Sequence, residues 1–405
     1  MNAFVLLAAL SAPTVAQDAP PQETKTVVVT AKSLKSTETA LNACISRKCP
    51  PKEEIDAALA HAENLFVEGE YKTARRTLLN TIGRVDKYAA QYPTEVADIW
   101  RAQARIASHL GEADPMRIGQ FEAIEALKAG LDRGDARVLA QRLEIADVFA
   151  KQGRIDAARD GYMKVAREAE KLDLPRLQGT ALLRVAILDN TLAEVDPALF
   201  GPRSRASINR LADTTDPRLA AYREAARLLK VRNTVKSDDP ASIDRAVADY
   251  TTQPTARPLL VYAPPIDLKV FDQFRPTGAT TENRPMQNYD GQWIDVTFLI
   301  GADGKVRDVE LARESPKLDN GWVKPVTDAI AGRRYAPVKV PDGIDGIRRV
   351  ERFTLTSFFN DRVTGSRMRS RTAPRIETLD LTADAAPTPQ PAKDFSSAPT
   401  SVPAD

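Results

Sequence analysis

Two cysteines and two histidines are the residues of this 405-residue sequence that most directly suggest chemistry. Cys44 and Cys49 form an isolated near pair, which in an oxidising compartment predicts a disulfide. The alternative is two free thiols in a reducing compartment. A zinc site needs four ligands, and only His61 and His109 could supplement the cysteines, so no metal site is predicted.

Motifs of enzymes are scarce in the sequence. His61-Ala62-Glu63 has the His-x-Glu spacing of zinc deaminases, but the Pro-Cys-x-x-Cys motif that completes such a site is missing. There is also no Gly-x-Ser-x-Gly elbow, no phosphate-binding loop and no dinucleotide-binding glycine pattern. His109 lies near the end of a predicted helix, where an imidazole can bond to terminal carbonyl groups. We therefore expect a non-catalytic protein with no cofactor and no small-molecule substrate. The alternative, an enzyme or enzyme subunit, requires a cleft with titratable groups of perturbed pKa.

Charge and the N-terminus bear on the class of protein and on its compartment. The 57 basic and 55 acidic residues leave a net charge of +2, so no nucleic-acid partner is expected. Residues 1–16 contain a short apolar run and end in the small residue Ala16, which predicts a signal peptide and export. No Lys or Arg precedes the run. The alternatives are therefore a buried N-terminal helix or a retained inner-membrane anchor.

Residues 36–250 predict a helical domain, because apolar residues recur there at three- and four-residue steps. Two stretches share a small residue, a Gly at a turn and a following Ala. These are Ala62, Gly69 and Ala74 in the first stretch and Ala146, Gly153 and Ala158 in the second. The pattern resembles the tetratricopeptide repeat, which implies stacked helix pairs and a groove for partners. The alternative is an irregular helical bundle.

The C-terminal third changes from helical to strand patterns. Residues 251–290 are rich in Pro and polar residues and predict a linker. Within it, residues such as Leu259–Tyr262 are expected either to add a strand or to pack along the next domain. Residues 291–360 predict a small α+β domain with a three-stranded antiparallel sheet and one helix. Its predicted elements are a strand over Trp293–Ile300, a hairpin turn at Asp303-Gly304, a strand over Val306–Leu311, a helix over Asp319–Ala331 and a strand over Arg348–Phe359.

This order of elements resembles the C-terminal domain of the TonB family, periplasmic energy transducers that contact outer-membrane transporters. The resemblance covers residues 291–360 and includes Ala-Asp-Gly-Lys-Val in the turn and Gly-Arg-Arg-Tyr-Ala-Pro after the helix. It implies a periplasmic location and a last strand that is an open edge, able to bind an extended peptide by strand addition. The implied partner-binding edge comprises Arg348, Val350, Arg352, Thr354, Thr356 and Phe358.

The sequence departs from that family in two ways. The Tyr-Pro and short helix that often open the family's domain are replaced by residues 285–289. The family's transmembrane anchor and long Pro/Lys/Glu spacer are also missing, which puts coupling to an inner-membrane motor in doubt.

The segments at the two ends of the chain are predicted to be flexible. Residues 17–35 contain a β-branched run that resembles the TonB box, the peptide that the family's edge strand binds, with Lys25 where an acidic residue is usual. The box-like residues are Thr26, Val27, Val28, Val29, Thr30 and Ala31. The alternative is a β-prone stretch with no role as a ligand. Residues 361–405 begin with an Arg cluster and predict a disordered tail.

Together these patterns predict a multidomain protein, with tetratricopeptide-like helices followed by a small TonB-like α+β domain. The expected function is that of a periplasmic, cell-envelope adaptor that binds protein partners and takes part in TonB-dependent transport. The partners implied are TonB-dependent outer-membrane transporters or another component of that system. The alternative is a membrane-anchored TonB-type energy transducer for outer-membrane transporters.

Overall fold

The computed structural model describes residues 33–235, 239–251, 253–268, 291–316, 318–358 and 372–382. The predicted signal peptide at 1–16 and the box-like segment Thr26–Ala31 lie outside the described residues. The described chain is mostly helical, with a small antiparallel sheet domain at its C-terminal end.

Helices α1 to α11 form the helical domain, in which consecutive helices pack against each other along the chain. Their bounds are α1 Leu34–Ser46, α2 Pro51–Val67, α3 Tyr71–Val85, α4 Pro93–His109, α5 Ala113–Gly130, α6 Ala136–Lys151, α7 Ile155–Lys171, α8 Pro175–Val195, α9 Pro197–Ala212, α10 Ala220–Arg232 and α11 Pro240–Tyr250. A helix containing Pro202 is hard to recognise, because Pro removes a backbone donor from the helix interior.

Small residues allow the paired helices to approach each other closely. Gly69 and Gly153 have φ values of +81° and +75°, and each follows the C-terminal end of the first helix of a pair. A residue with a Cβ rarely adopts this conformation, so Gly ends the helix and turns the chain back. Buried alanines line the contact between the helices, as at Ala62 and Ala74, which are 3% and 0% exposed.

In the part of the chain that the structure describes, the sheet domain contains six strands and the helix α12. Their bounds are β1 Leu260–Tyr262, β2 Gln292–Ile300, β3 Val306–Glu314, α12 Val323–Ala331, β4 Arg334–Tyr335, β5 Ile347–Thr356 and β6 Arg375–Asp380. Strands β2, β3, β5 and β6 form an antiparallel sheet in the order β3-β2-β5-β6, and β1 pairs with β4.

This topology corrects two sequence predictions. The main sheet has four strands instead of three, because β6 adds to β5. Strand β6 lies inside the 361–405 segment that was predicted to be a disordered tail. Strand β1 lies inside the linker 251–290, at the residues Leu259–Tyr262 for which an added strand was one of two expectations. Both strands are short, and each is stabilised by pairing with residues far away in the sequence.

The main sheet is covered on both faces. One face of the sheet packs against α12 and the residue before it. Here Ile294, Phe298 and Phe353 form a core with Trp322, which precedes α12, and Val326, which belongs to α12. The other face of the sheet packs against the helical domain, where Trp293 joins the core of α1 to α6. Successive residues of a strand point to opposite faces, so every second residue of β2, β5 and β6 faces the helices.

Two further features bear on the sequence predictions. Cys44 and Cys49 form a disulfide at the turn between α1 and α2. Within the described ranges, no helix combines the length and the apolar character needed to cross a membrane.

Candidate functional site

Strand β5, the predicted partner-binding edge, lies in the interior of the sheet. It pairs with β2 on one side and with β6 on the other. The prediction that this strand is an open edge is therefore wrong, because β6 of the same chain occupies that edge. Of the predicted binding residues, Arg348 is exposed and Val350 is half-buried. The remaining ones are buried, namely Arg352, Thr354, Thr356 and Phe358.

Arg352 connects the sheet to the helical domain. Its guanidinium forms a bidentate ion pair with Asp295 on β2, with N···O distances of 2.7 and 2.9 Å. It also donates to the carbonyl oxygens of Phe66 and Val67, at 2.6 Å each. These carbonyls end α2, where the helix dipole favours a cation. The guanidinium also lies 3.9 Å from the ring centroid of Trp293, so all sides of this buried cation have partners.

Thr354 is the centre of a second buried contact between the domains. Its hydroxyl shares hydrogen bonds with the Tyr71 hydroxyl at 3.1 Å and with His109 Nδ1 at 3.0 Å. Burial lowers the pKa of His109 to about 3, so the imidazole is neutral at physiological pH. The ring packs edge-on against Phe66, with centroids 4.8 Å apart. His109 thus bonds to a strand residue and not, as predicted, to carbonyl groups at the end of its own helix.

At this interface, the backbone of the helical domain also comes close to the sheet domain. Gly111 follows α4 with a φ of +71°, and a Cβ on it would lie 2.2 Å from the carbonyl oxygen of Ser357. A Cβ on Gly69 would lie 2.2 Å from Trp293 Nε1. The turns after α2 and α4 therefore contact the sheet through glycines.

Glu377 on β6 forms the third polar contact with the helical domain. Its carboxylate accepts hydrogen bonds from Ser108 Oγ at 3.0 Å and Lys151 Nζ at 3.1 Å, and pairs with Arg375 at 2.7 Å. Burial raises the pKa of Glu377, but Lys151 and Arg375 outweigh this effect and lower the pKa to about 2. Arg375 also donates to the carbonyl oxygen of Ser108 and lies 3.6 Å from the ring centroid of Phe358.

A separate group of titratable side chains lies within the helical domain. Arg184 on α8 pairs with Glu144 at 3.0 Å and with Asp147 at 2.9 Å, both on α6. Burial raises the pKa of Asp147 to about 6 and raises that of Tyr162, which donates to Asp147. Such groups are the sign of an active site only when they line a cleft.

A groove on the surface of the described chain lies apart from this group of side chains. It has a volume of about 650 Å³ and is bounded by α6 and α7. Its lining includes Ile145, Phe149, Lys164, Arg167 and Lys171. The groove is not lined by Arg184, Glu144, Asp147 or Tyr162. The residues with perturbed pKa values in the helical domain therefore lie outside the groove.

One group of side chains has the spacing of a metal site. The ligand atoms of Cys44, Cys49 and Glu53 lie within 4.8 Å of one another. The two sulfurs are bonded to each other, and a thiolate is the form of cysteine that binds metals. In this oxidised state the group lacks the ligands that a metal ion would need.

Sequence patterns did not identify most of the residues at the domain interface. Asp295, Ser108, Lys151 and Glu377 were not predicted as site residues. Asp295 carried a usable signal, because a carboxylate between Ile294 and Val296 in a predicted buried strand requires a partner. The others lie at helix ends or in the predicted tail, where the sequence shows nothing unusual.

Comparison with known proteins found no family model and no curated protein that matches the chain. Among solved structures, the crystal structure of BtubC (BKLC) from P. vanneervenii is similar, with 14% sequence identity and a TM-score of 0.37. The match covers 62% of this chain and 95% of that one. A likeness at this level supports neither a common fold nor a common function.

Proposed function

We propose that this chain is a non-catalytic adaptor of the cell envelope that binds protein partners through a TonB-like sheet domain and a tetratricopeptide-like helical domain. The observation that carries the proposal is the pairing of β6 with β5. Strand β5 is the strand that the resemblance to the TonB family implies as the peptide-binding edge. In this structure it pairs with β6, an extended segment of the same chain. A partner strand would bind in the same way, through backbone hydrogen bonds.

The arrangement of the sheet domain supports the likeness to the TonB family. Strands β2 and β3 are joined at Asp303-Gly304, and Gly304 has the positive φ of a hairpin turn. Helix α12 follows, then a short strand at Arg334–Tyr335, then the long strand β5 beside β2. Arg333 after α12 pairs with Glu351 on β5 at 2.9 Å, so the basic end of the helix is held against the sheet.

The packing of the helical domain supports the likeness to tetratricopeptide repeats. Helices α2 and α3, α4 and α5, and α6 and α7 pack as successive neighbours, and the even-numbered helices α2 and α4, and α6 and α8, also contact each other. Stacked helix pairs of this kind present a continuous surface to partners. The groove bounded by α6 and α7 is one place on that surface where a protein segment would bind.

The N-terminal part of the proposal rests on sequence. The apolar run in residues 1–16 predicts export, and the Cys44–Cys49 disulfide is of a kind that persists in oxidising compartments. The segment Thr26–Ala31 is proposed as a strand that pairs with a TonB-type edge. In the alternative function, residues 1–16 are retained as an anchor and the chain is an energy transducer for outer-membrane transporters.

Photo-cross-linking in intact cells tests the proposal. A photo-reactive residue at Arg348, at the exposed end of β5, should yield cross-links to a protein partner. The same residue at Lys324, exposed on α12, should not give those products. Equal cross-linking patterns at the two positions would contradict a partner site on β5. N-terminal sequencing of the mature protein separates the alternatives, because a start at Gln17 excludes a retained anchor.

A further inference from the structure

We infer that the surface occupied by β6 is a composite groove for an extended peptide that carries a carboxylate, with one wall from the sheet and the other from the helical domain. This inference rests on the proposed strand-binding function of β5 and names the chemistry of the segment that fits there. Strand β6 is the occupant from the chain itself, and its contacts define what a partner strand must provide.

The register of β6 divides its side chains between two environments. Glu377 lies opposite Thr354 and Leu379 opposite Arg352, so both belong to the face that packs against the helices. Ile376 lies opposite Leu355 and is buried in the core on the α12 side. A segment that binds here therefore presents alternate residues to the helical domain and to the core of the sheet domain.

The helical domain supplies the part of the groove that recognises the carboxylate. Ser108 is the penultimate residue of α4, and Lys151 is the last residue of α6. Their side chains donate to Glu377 at 3.0 and 3.1 Å. Charge-assisted hydrogen bonds of this kind are stronger than neutral ones, and more so away from water. The remaining partner, Arg375, belongs to the β6 segment itself.

Apolar contacts on either side of the carboxylate complete the groove. Ile376 is 8% exposed, and Leu379 packs against the core of the helical domain. The pattern that fits is thus an apolar residue at position 376, an acidic residue at 377 and a second apolar residue at 379. Thr378 lies opposite Phe353, and its Oγ1 atom is buried without a hydrogen bond in the described structure.

The same chemistry disfavours the N-terminal segment as an occupant. Two seven-residue segments of the chain are similar in sequence, namely 25–31 and 377–383. Each has Thr at its second position and Thr-Ala at its last two positions. Aligning the shared residues places Lys25 at the position of Glu377, against Lys151. Like charges at that distance repel. The groove therefore selects a segment like β6 and rejects residues 25–31 in this register.

Binding of a labelled peptide to the full-length chain tests the inference. The probe is a fluorescent synthetic peptide covering residues 372–383, measured by anisotropy. Wild-type protein should bind it weakly, because the tethered β6 competes for the same surface. The full-length variant Glu377→Lys loses the carboxylate of β6 and should bind the probe at least about tenfold more tightly. The variant Glu314→Lys has the same charge change at an exposed position on β3 and should behave as wild type.

A second peptide carrying Glu377→Lys separates this inference from the proposed function. It should bind the Glu377→Lys protein at least about tenfold more weakly than the first peptide does. Equal binding of the two peptides would overturn the carboxylate groove and leave strand binding by β5 intact. If neither peptide bound while hydrogen exchange showed the amides of residues 375–380 to be released, strand binding by β5 would be refuted as well.

A further variant covers the case in which Glu377→Lys does not fold, as judged by circular dichroism. Lys151→Met keeps β6 unchanged and removes the cation that faces Glu377. Hydrogen exchange of the β6 amides should then become at least about tenfold faster than in wild type. Unchanged exchange would overturn the role of the helical domain in holding the carboxylate.

Discussion

Acidification from pH 7 to pH 5 should weaken the folded state through His109. This imidazole is buried against Phe66 and Tyr71, and burial lowers its pKa to about 3, whereas the ordinary value is 6.5. Between these two values the unfolded chain binds a proton that the folded chain does not bind. The free energy of unfolding therefore falls as the pH falls through 6.5, and keeps falling until the pH reaches about 3.

The expected size follows from the same two pKa values. Each pKa unit corresponds to about 1.4 kcal/mol, and pH 5 lies about 1.5 units below the pKa of the unfolded histidine. His109 should therefore cost about 2 kcal/mol of stability between pH 7 and pH 5. Asp147 acts in the opposite direction, because burial raises the pKa of its carboxyl to about 6. Wild-type stability alone does not separate the two effects.

Comparison with the variant His109→Gln isolates the histidine. Urea unfolding, followed by circular dichroism at pH 7, 6 and 5, gives the stability of both proteins. The variant should be less stable than wild type at pH 7, because the hydrogen bond between His109 and Thr354 is disturbed, and this difference should shrink by about 2 kcal/mol at pH 5. His61→Gln is the comparison variant, since His61 is the other histidine of the chain and hydrogen-bonds to Thr37 on α1. Burial also lowers the pKa of His61, so its difference from wild type should shrink in the same direction. Stability curves of wild type and His109→Gln that stay parallel from pH 7 to pH 5 would refute the reasoning.

Three further changes should alter stability, each measured by urea unfolding. Arg352→Met removes a partner of the buried Asp295 and should lower the free energy of unfolding by about 3 kcal/mol. The control Arg348→Met, at an exposed position on the same strand, should change it by less than about 0.5 kcal/mol. Equal effects would contradict the buried ion pair. Gly111→Ala should cost about 1–3 kcal/mol more than Gly343→Ala, because both have positive φ but only Gly111 contacts backbone of the sheet domain. Reduction of the disulfide should cost about 2 kcal/mol, since the loop it closes is short, and an unchanged midpoint would show that the bond is not stabilising.

Local signals in the sequence were sufficient for several elements of the fold. The alternation of Trp293–Ile300 and the Asp303-Gly304 dipeptide predicted strand β2 and the hairpin that follows it. Gly69 and Gly153 marked the turns of two helix pairs, and both have the positive φ that such turns need. These features depend on residues close together in the chain, so pattern and structure agree.

The features that depend on distant residues were not predictable in this way. Strand β6 contains Glu377 and Asp380 in a polar, Pro-containing region, and it becomes a strand because β5 offers an edge to pair with. The resemblance to the TonB family implied that β5 is an open edge. Its buried polar residues Arg352 and Thr354 indicate instead a second, polar contact surface. Only the helix ends that supply their partners explain why these groups are buried.

The ends of three helices decide how the sheet and the helical domain fit together. Helices α2, α4 and α6 all point their C-terminal ends toward the sheet, where carbonyl groups without helical partners favour cations. The sheet supplies Arg352 to the end of α2 and Arg375 to the end of α4. The end of α6 carries Lys151, whose ammonium group donates to the carboxylate of Glu377 on β6. A partner strand that replaced β6 would have to complete this pattern as well as pair with β5. If peptide binding at β5 is as we propose, its selectivity comes from the junction of the two domains, and we expect an isolated sheet domain to discriminate less among extended peptides.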